Sequence, residues 1–269
     1  MSDPSGPEAA ANRFADLRVR VTSSLVLLLV GGLAVWAGGR VFEAVVLLIA
    51  LAMTWELARL GNGERPGQAL VIGLATAAAV AGAAERPWAP ELAVLALGPA
   101  LFLITPRRDR LLAAFWTLLV ELACLGLIEA RAAGPLAVLW LLGVVILSDV
   151  CGYFAGRALG GPRFWPAISP KKTWSGTVAG WFGALAWTAA LSPWMNADPW
   201  WGILVLAPVF ALAGQVSDIL ESWIKRRAGV KDASTLIPGH GGVMDRFDSV
   251  AGAAALGMAL EWLRAGLGG

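Results

Sequence analysis

The fold class this sequence predicts is all-α: a polytopic integral membrane protein of about nine transmembrane helices. Three observations predict it. Apolar runs of membrane length recur along the chain, and the segments between them are short and charged. Hydrophobic residues make up 58% of the chain and charged ones 15%, where soluble domains carry roughly a quarter charged. Basic residues alternate between the ends of successive runs, as they do when one side of a bilayer collects Lys and Arg.

The runs lie at about 21–38, 41–60, 69–84, 88–105, 110–130, 134–155, 174–192, 199–222 and 248–266. In lipid only helices or closed barrels satisfy every backbone polar group, and these runs are too long and too little alternating for barrel strands. The third is short and rich in Ala and Gly. With the N-terminus inside, the inner loops collect Arg13, Arg18 and Arg20, then Arg59 and Arg65, then Arg107, Arg108 and Arg110. They continue with Arg157, Arg163, Lys171 and Lys172, then Lys225, Arg226, Arg227, Lys231 and Arg246. Only Arg40, Arg86, Arg131 and Arg264 fall outside, so the N-terminus is expected inside and the C-terminus outside.

Residues 1–20 read as a polar cytoplasmic tail ending in a basic anchor. The competing reading is a signal peptide cleaved after Ala37; Trp36 and the many apolar segments that follow argue against it. Helices one to five fill 21–130. The C-terminal region, 134–269, carries helices six to nine and two inner loops at 156–173 and 223–247. The sequence shows no internal repeat and no separately folding soluble domain. Cys124 and Cys151 sit inside apolar runs and read as small buried hydrophobes. Trp88, Trp165, Trp174, Trp194, Trp200 and Trp201 lie near helix ends, where indoles favour the interface. A net charge of +2 spread over many loops gives no nucleic-acid footprint.

One block stands out. Ser217–Ser249 holds five basic residues, five acidic ones and His240, the only histidine, between two apolar runs. Ionisable groups beside a bilayer mark functional sites by default. Pro238, Gly239, Gly241 and Gly242 turn the backbone sharply there. A second group lies at 148–176: Asp149, Tyr153 and Arg157 share a helix face at spacing four. Ser169 to Thr173, with Lys171 and Lys172, ends where helix seven starts, and makes an anion-binding corner there. The alternative is that both lysines only anchor the topology.

The block resembles the signature of the phosphatidate cytidylyltransferase (CDP-diacylglycerol synthase) family. The matching positions are Ser222, Ile224, Lys225, Arg226, Lys231, Asp232, Ser234, Pro238, His240, Gly241, Gly242, Asp245, Arg246 and Asp248. Asp149, Tyr153, Gly156, Arg157, Ser169 to Thr173 and Gly176 match a second stretch of the family pattern. Ser175 stands where the pattern has Glu, Ser217 where it has Gly, and Ala233 where Ser is usual. The resemblance covers roughly 140–260; the N-terminal half matches only as a hydrophobic pattern.

The resemblance implies that CTP and phosphatidate give CDP-diacylglycerol and pyrophosphate, in phospholipid biosynthesis at the bacterial inner membrane, with the site facing the cytoplasm. The lipid phosphate is already an anion, so no general base is needed, and His240 is expected to hydrogen-bond rather than to take a proton. The barrier is positioning and charge between two polyanions, which metal ions and Lys/Arg clamps supply. Asp218, Asp245 and Asp248 are the expected Mg²⁺ ligands, with Asp149 and Glu221 next in rank and two cation sites, the second open to a monovalent ion. Pairing of these acids with Lys225, Arg226 and Arg246 is the alternative. The expected catalytic set is Asp218, Asp245, Asp248, Lys225 and Arg226. Substrate contacts are expected from Lys171, Lys172, Ser169, Thr173, Arg157, Lys231, Asp232, His240, Gly241, Gly242, Arg246 and Ser222. Expected partners are CTP, phosphatidate and membrane lipids, with a homodimer as the oligomer to test and no nucleic acid. The nearest rival is a cytidylyltransferase or kinase acting on another lipid phosphate or alcohol; a transporter is a more distant one.

Overall fold

The computed structural model describes residues 7–62, 66–85, 90–195 and 200–267. Among the described residues nine α-helices run in order: α1 (Pro7–Ala37), α2 (Gly39–Asn62), α3 (Pro66–Glu85), α4 (Leu97–Ile104), α5 (Arg110–Ala133), α6 (Pro135–Leu159), α7 (Trp174–Leu191), α8 (Trp200–Arg227) and α9 (Met244–Leu267). Eight of the nine expected apolar runs coincide with one helix each. Among the described residues six helical stretches are long and apolar enough to cross a membrane: Leu17–Ala37, Gly39–Leu60, Pro66–Glu85, Arg110–Ala133, Pro135–Leu159 and Trp201–Arg227. The protein is an all-α membrane protein to that extent.

Three of the nine expected runs fall outside those six. The fourth is broken into a 3₁₀ segment, Pro90–Ala96, and the eight-residue α4. Pro99 explains the break: its missing N–H and fixed φ suit the first turn of a helix, not a helix interior. The seventh, α7, is threaded with Gly, Trp, Ser and Thr, which lowers its hydropathy. The ninth, α9, opens on Asp245, Arg246 and Asp248 and ends with Glu261 and Arg264. At the N-terminus, α1 begins at Pro7 rather than near residue 21, because Pro at N1 followed by Glu and Ala favours helix well before the apolar run. The expected 156–173 loop also holds an antiparallel ribbon, β1 (Arg163–Trp165) with β2 (Ser169–Thr173), paired Arg163 to Thr173 and Trp165 to Ser169.

Small residues set the packing. A Cβ added at Gly176 of α7 would lie 2.6 Å from the carbonyl oxygen of Gly152 on α6. One at Gly126 of α5 would lie 2.1 Å from the Ala254 carbonyl oxygen of α9, and one at Gly252 of α9 would lie 2.3 Å from the Ala213 carbonyl oxygen of α8. Backbone meets backbone at all three crossings, the device helices use where lipid supplies no hydrophobic drive between them. α9 is thus wedged between α5 and α8, with its N-terminus held at the end where α8 finishes. Between α6 and α7, Trp140 Nε1 donates to Thr188 Oγ1 at 2.9 Å, and the Trp140 ring meets Phe210 of α8 edge-on.

α1 differs from the rest. Leu25, Leu28, Leu29 and Trp36 are exposed along it, a surface suited to lipid. Trp165, Trp174, Trp194 and Trp201 are exposed as expected of interface residues, whereas Trp116 is fully buried. The side chains of Trp88 and Trp200 lie outside the described residues. Both cysteines are free, Cys124 buried and Cys151 half-buried.

The crossing of α9 on α8 gives a test. Gly252→Ala forces a side chain against a backbone carbonyl and should cost about 1–3 kcal/mol, outweighing the roughly 1 kcal/mol that Ala gains over Gly in a helix. Gly266→Ala on the same helix meets nothing within 4 Å. The thermal midpoint of purified protein should fall for the first and hold for the second; equal midpoints would contradict the packing.

Candidate functional site

The charged side chains converge where α8 ends and α9 begins. Asp218, Glu221 and Lys225 occupy successive turns of α8, so one face presents all three. Asp248 comes from the first turns of α9. Carboxylate oxygens of Asp218, Glu221 and Asp248 all lie within 4.8 Å of one another. Asp149 of α6 joins their electrostatic neighbourhood, facing Asp218 and Asp248 and hydrogen-bonded to Ser249. Two ammonium groups sit among the acids. Lys172, at the end of β2, ion-pairs with Asp218 and donates to the Gln215 carbonyl at 3.4 Å. Lys225 Nζ lies 2.7 Å from Glu221 Oε2 and 2.5 Å from Asp245 Oδ1.

The scaffold for Lys172 is explicit. Thr173 caps α7 by accepting from the Gly176 N–H at 3.2 Å, and Ser175 donates to the Gly160 carbonyl at 2.5 Å, closing the ribbon onto the end of α6. Ser175 therefore serves as a tether, and Thr173 spends its hydroxyl on the cap. Gln215 fills the buried junction of three helices: Nε2 donates to Ser148 Oγ and to the Thr177 carbonyl, and Oε1 accepts from Trp181 Nε1. Its own carbonyl is the one Lys172 reaches.

Asp245 does a different job from the other acids. Its Oδ1 meets Lys225, and its Oδ2 accepts the N–H groups of Ala233 at 2.8 Å and Gly242 at 2.7 Å. Burial pushes this carboxyl up, but Lys225 and the two N–H groups outweigh it and hold it below the usual carboxylate range. A lowered value contributes stability above the ordinary carboxylate pKa, which is lost only as pH falls into the acid range. Asp245 thus ties the loop to α8 and stands outside the trio of acids, whereas Glu221, expected only in second rank, is inside it. Glu221 Oε1 is buried without a hydrogen-bond partner, as is Ser217 Oγ. A carboxylate oxygen so placed, beside two further acids, fits a hard cation.

The loop from Ala228 to Val243 folds on two glycines with positive φ, Gly239 (75°) and Gly241 (84°), and on hydrogen bonds from the Ile237 N–H to the Gly241 carbonyl and from the His240 N–H to the Ile237 carbonyl. It borders a cleft of ≈ 560 Å³ lined in part by Lys231, Asp232, His240, Gly241 and Arg246. His240 Nε2 is 3.0 Å from Ser24 Oγ of α1, consistent with a hydrogen-bonding role. Arg226 is exposed and donates to the Val230 carbonyl, closing the end of α8. Ser222 is half-buried on α8; Arg157 and Lys171 are exposed and make no ion pair among the described residues, and Ser169 pairs in the ribbon.

Sequence reasoning missed Glu56. Fully buried near the end of α2, it accepts from the N–H groups of Val243 at 2.9 Å and Met244 at 2.7 Å, and from Ser234 Oγ at 2.6 Å. A carboxylate from another helix thus satisfies the free N–H groups at the start of α9. Gly242 makes room for it: a Cβ there would lie 2.6 Å from Glu56 Oε1. The signal was present, since a lone acid inside an apolar run is costly and demands a partner.

A family model described as the cytidylyltransferase family matches residues 18–263. The chain is 33% identical over 248 residues to a protein of Brucella suis named phosphatidate cytidylyltransferase, covering 90% of this chain and 92% of that one. A protein of the same name from Staphylococcus aureus is 30% identical over 247 residues, covering 87% and 94%. Another, from Staphylococcus saprophyticus, is 38% identical over 124 residues, about half of each chain. The match reaches well into the N-terminal half, where the sequence showed only hydrophobic patterning.

Glu56→Gln keeps the shape and puts an amide donor where an acceptor is needed. Each charge-assisted hydrogen bond lost should cost about 1.5–3 kcal/mol. The thermal midpoint should drop, and trypsin should cut faster after the exposed Lys231. Glu261→Gln, from an exposed pair on the same α9, is the control. No difference between the two variants would contradict the capping role.

Proposed function

The chain belongs to the cytidylyltransferase family, and from that premise we propose that it transfers the cytidylyl group of CTP to phosphatidate at the inner face of a bacterial cytoplasmic membrane. The products are CDP-diacylglycerol and pyrophosphate. The observation that carries this reading is the convergence of Asp149, Asp218, Glu221 and Asp248 with Lys172 and Lys225 between them, within a chain of phosphatidate cytidylyltransferase relatives.

A lipid phosphate oxygen attacks the α-phosphorus of CTP. The new O–P bond forms as the bond to the β-phosphate oxygen breaks, and pyrophosphate leaves on the opposite side. No proton must be removed from the nucleophile, which agrees with a site that has acids and lysines but no histidine at its centre. Asp218, Glu221 and Asp248 would hold Mg²⁺, with Asp149 beside them and room for a second cation; bound there, it supplies charge neutralisation to the phosphates. Lys172 and Lys225 already span the acids and are placed to shift toward substrate phosphates, as positioned cations do in phosphoryl transfer. Asp245 keeps Lys225 and the loop in register. Lys171 and Arg157 extend the basic face toward an incoming anion.

Nine membrane crossings, the N-terminus inside and the C-terminus outside, follow from the basic loops. The ends of α2, α6 and α8, the start of α9 and the first turns of the apolar stretch of α1 share the site, which agrees with one cytoplasmic face for all five. Membrane lipids bathe the helices, and a homodimer remains the oligomer to test.

Purified protein should convert CTP and phosphatidate in the presence of Mg²⁺, lose activity with EDTA and regain it when Mg²⁺ is restored. Asp218→Asn should insert normally and lose at least about two orders of magnitude in kcat, the scale on which removal of one preorganised charge acts. Full activity of that variant in EDTA would overturn the metal reading, and a stronger preference for another lipid phosphate would overturn the substrate. For orientation, a cysteine introduced at Lys231 should escape an impermeant thiol reagent applied to intact cells, and one at Trp194 should react. The reverse pattern would place the site outside.

A further inference from the structure

The first helix reaches the site. Ser23 Oγ of α1 donates to the Pro238 carbonyl at 2.8 Å, and Ser24 Oγ meets His240 Nε2 at 3.0 Å. Arg20 lies one turn earlier on the same face, and its side chain runs so close to the loop that a Cβ on Gly239 would lie 2.9 Å from Arg20 Cγ. Arg20 thereby lines the ≈ 560 Å³ cleft together with Lys231, Arg246 and His240. Three cations against one carboxylate, Asp232, give the cleft a positive lining. The Gly239–Gly241 turn also lines it, and the positive φ of its two glycines favours close approach by a ligand. His240 Nδ1 is enclosed and has no hydrogen-bond partner. The cleft also abuts the catalytic cluster: a Cβ on Gly241 would lie 2.8 Å from Asp245 Oδ2, whose other oxygen holds Lys225.

We propose that Arg20, with Lys231 and Arg246, binds a phosphate group of a substrate in this cleft, so that α1 is part of the binding site and not only a membrane anchor. The proposal deepens the reading above and rests on it. The phosphate belongs either to the pyrophosphoryl end of the nucleotide or to the lipid headgroup; both present the same anion to a guanidinium. The clasp by Ser23 and Ser24 fixes the loop against α1, which sets where the Arg20 guanidinium can reach.

The test compares Arg20→Gln with Arg18→Gln, which removes an equal charge from the same exposed turn outside the cleft. Arg20→Gln should raise one apparent KM roughly tenfold or more, the loss expected for a charge-assisted hydrogen bond. A rise in KM for CTP identifies the nucleotide, and a rise in KM for phosphatidate identifies the lipid. Arg20→Lys should recover part of the loss. If both KM values move no more than in Arg18→Gln, or if only the amount of folded protein changes, the proposal is wrong. A second measurement needs no turnover: Arg20→Cys, labelled with a charged thiol reagent above the wild-type background, should be protected by CTP, inorganic pyrophosphate or phosphatidate vesicles. Lack of protection by all three overturns the proposal. Failure of wild-type protein to use CTP with any lipid phosphate would instead overturn the assigned reaction, and leaves protection by pyrophosphate decisive for Arg20.

Discussion

Lys225 is buried between Glu221 on its own helix and Asp245 on the next, and the rest of the site depends on that contact. Removing one partner of a buried ion pair is far more costly than never having made it, because the survivor keeps its charge without its solvent. Here the pair is also a hinge pin. The Asp245 oxygen not used by Lys225 receives the N–H groups of Ala233 and Gly242, so the position of the ammonium and the path of the loop are set together. Ala233 contributes through its N–H, which explains why the side chain usual at that position can be dispensed with.

The acids divide into holders and receivers. Glu56 and Asp245 are saturated with backbone N–H groups and fix geometry. Asp218, Glu221 and Asp248 face one another with fewer internal partners, an arrangement that leaves coordination capacity for a cation. Such a division matches what a site for two polyanions needs: groups that move with the ligand, held by groups that do not. Gln215 adds a neutral anchor, joining α6, α7 and α8 behind Lys172.

Helix positions were readable because hydrophobic length is a one-dimensional property, and eight of the nine runs became single helices. The fourth is split because Pro99 acts locally on backbone conformation, which average hydropathy ignores. Asp218, Asp248, Lys172 and Lys225 could be read from motif and charge clustering. The separate duty of Asp245 could not, since spacing does not say which carboxylate faces backbone and which faces another acid. Glu56 was hidden because its partners lie 187 and 188 residues away. Insertion cost would have flagged it, yet the same argument flags Glu121, which is equally buried beside Gly98, away from the site, with both oxygens unpartnered. Cost locates buried acids; only the fold tells which of them work.

The capping of α9 by Glu56 also dictates an order of assembly. The residue enters the membrane with α2, when the N–H groups that will neutralise it have not yet been synthesised. Ser23, Ser24 and Arg20 wait in the same way for the 238–240 turn, across 215 and 216 residues in the two hydrogen-bonded cases. Closing contacts this distant is slow and comes late. The docking of α9 and the loop before it therefore supplies contacts that α1 and α2 cannot make while they are inserted alone.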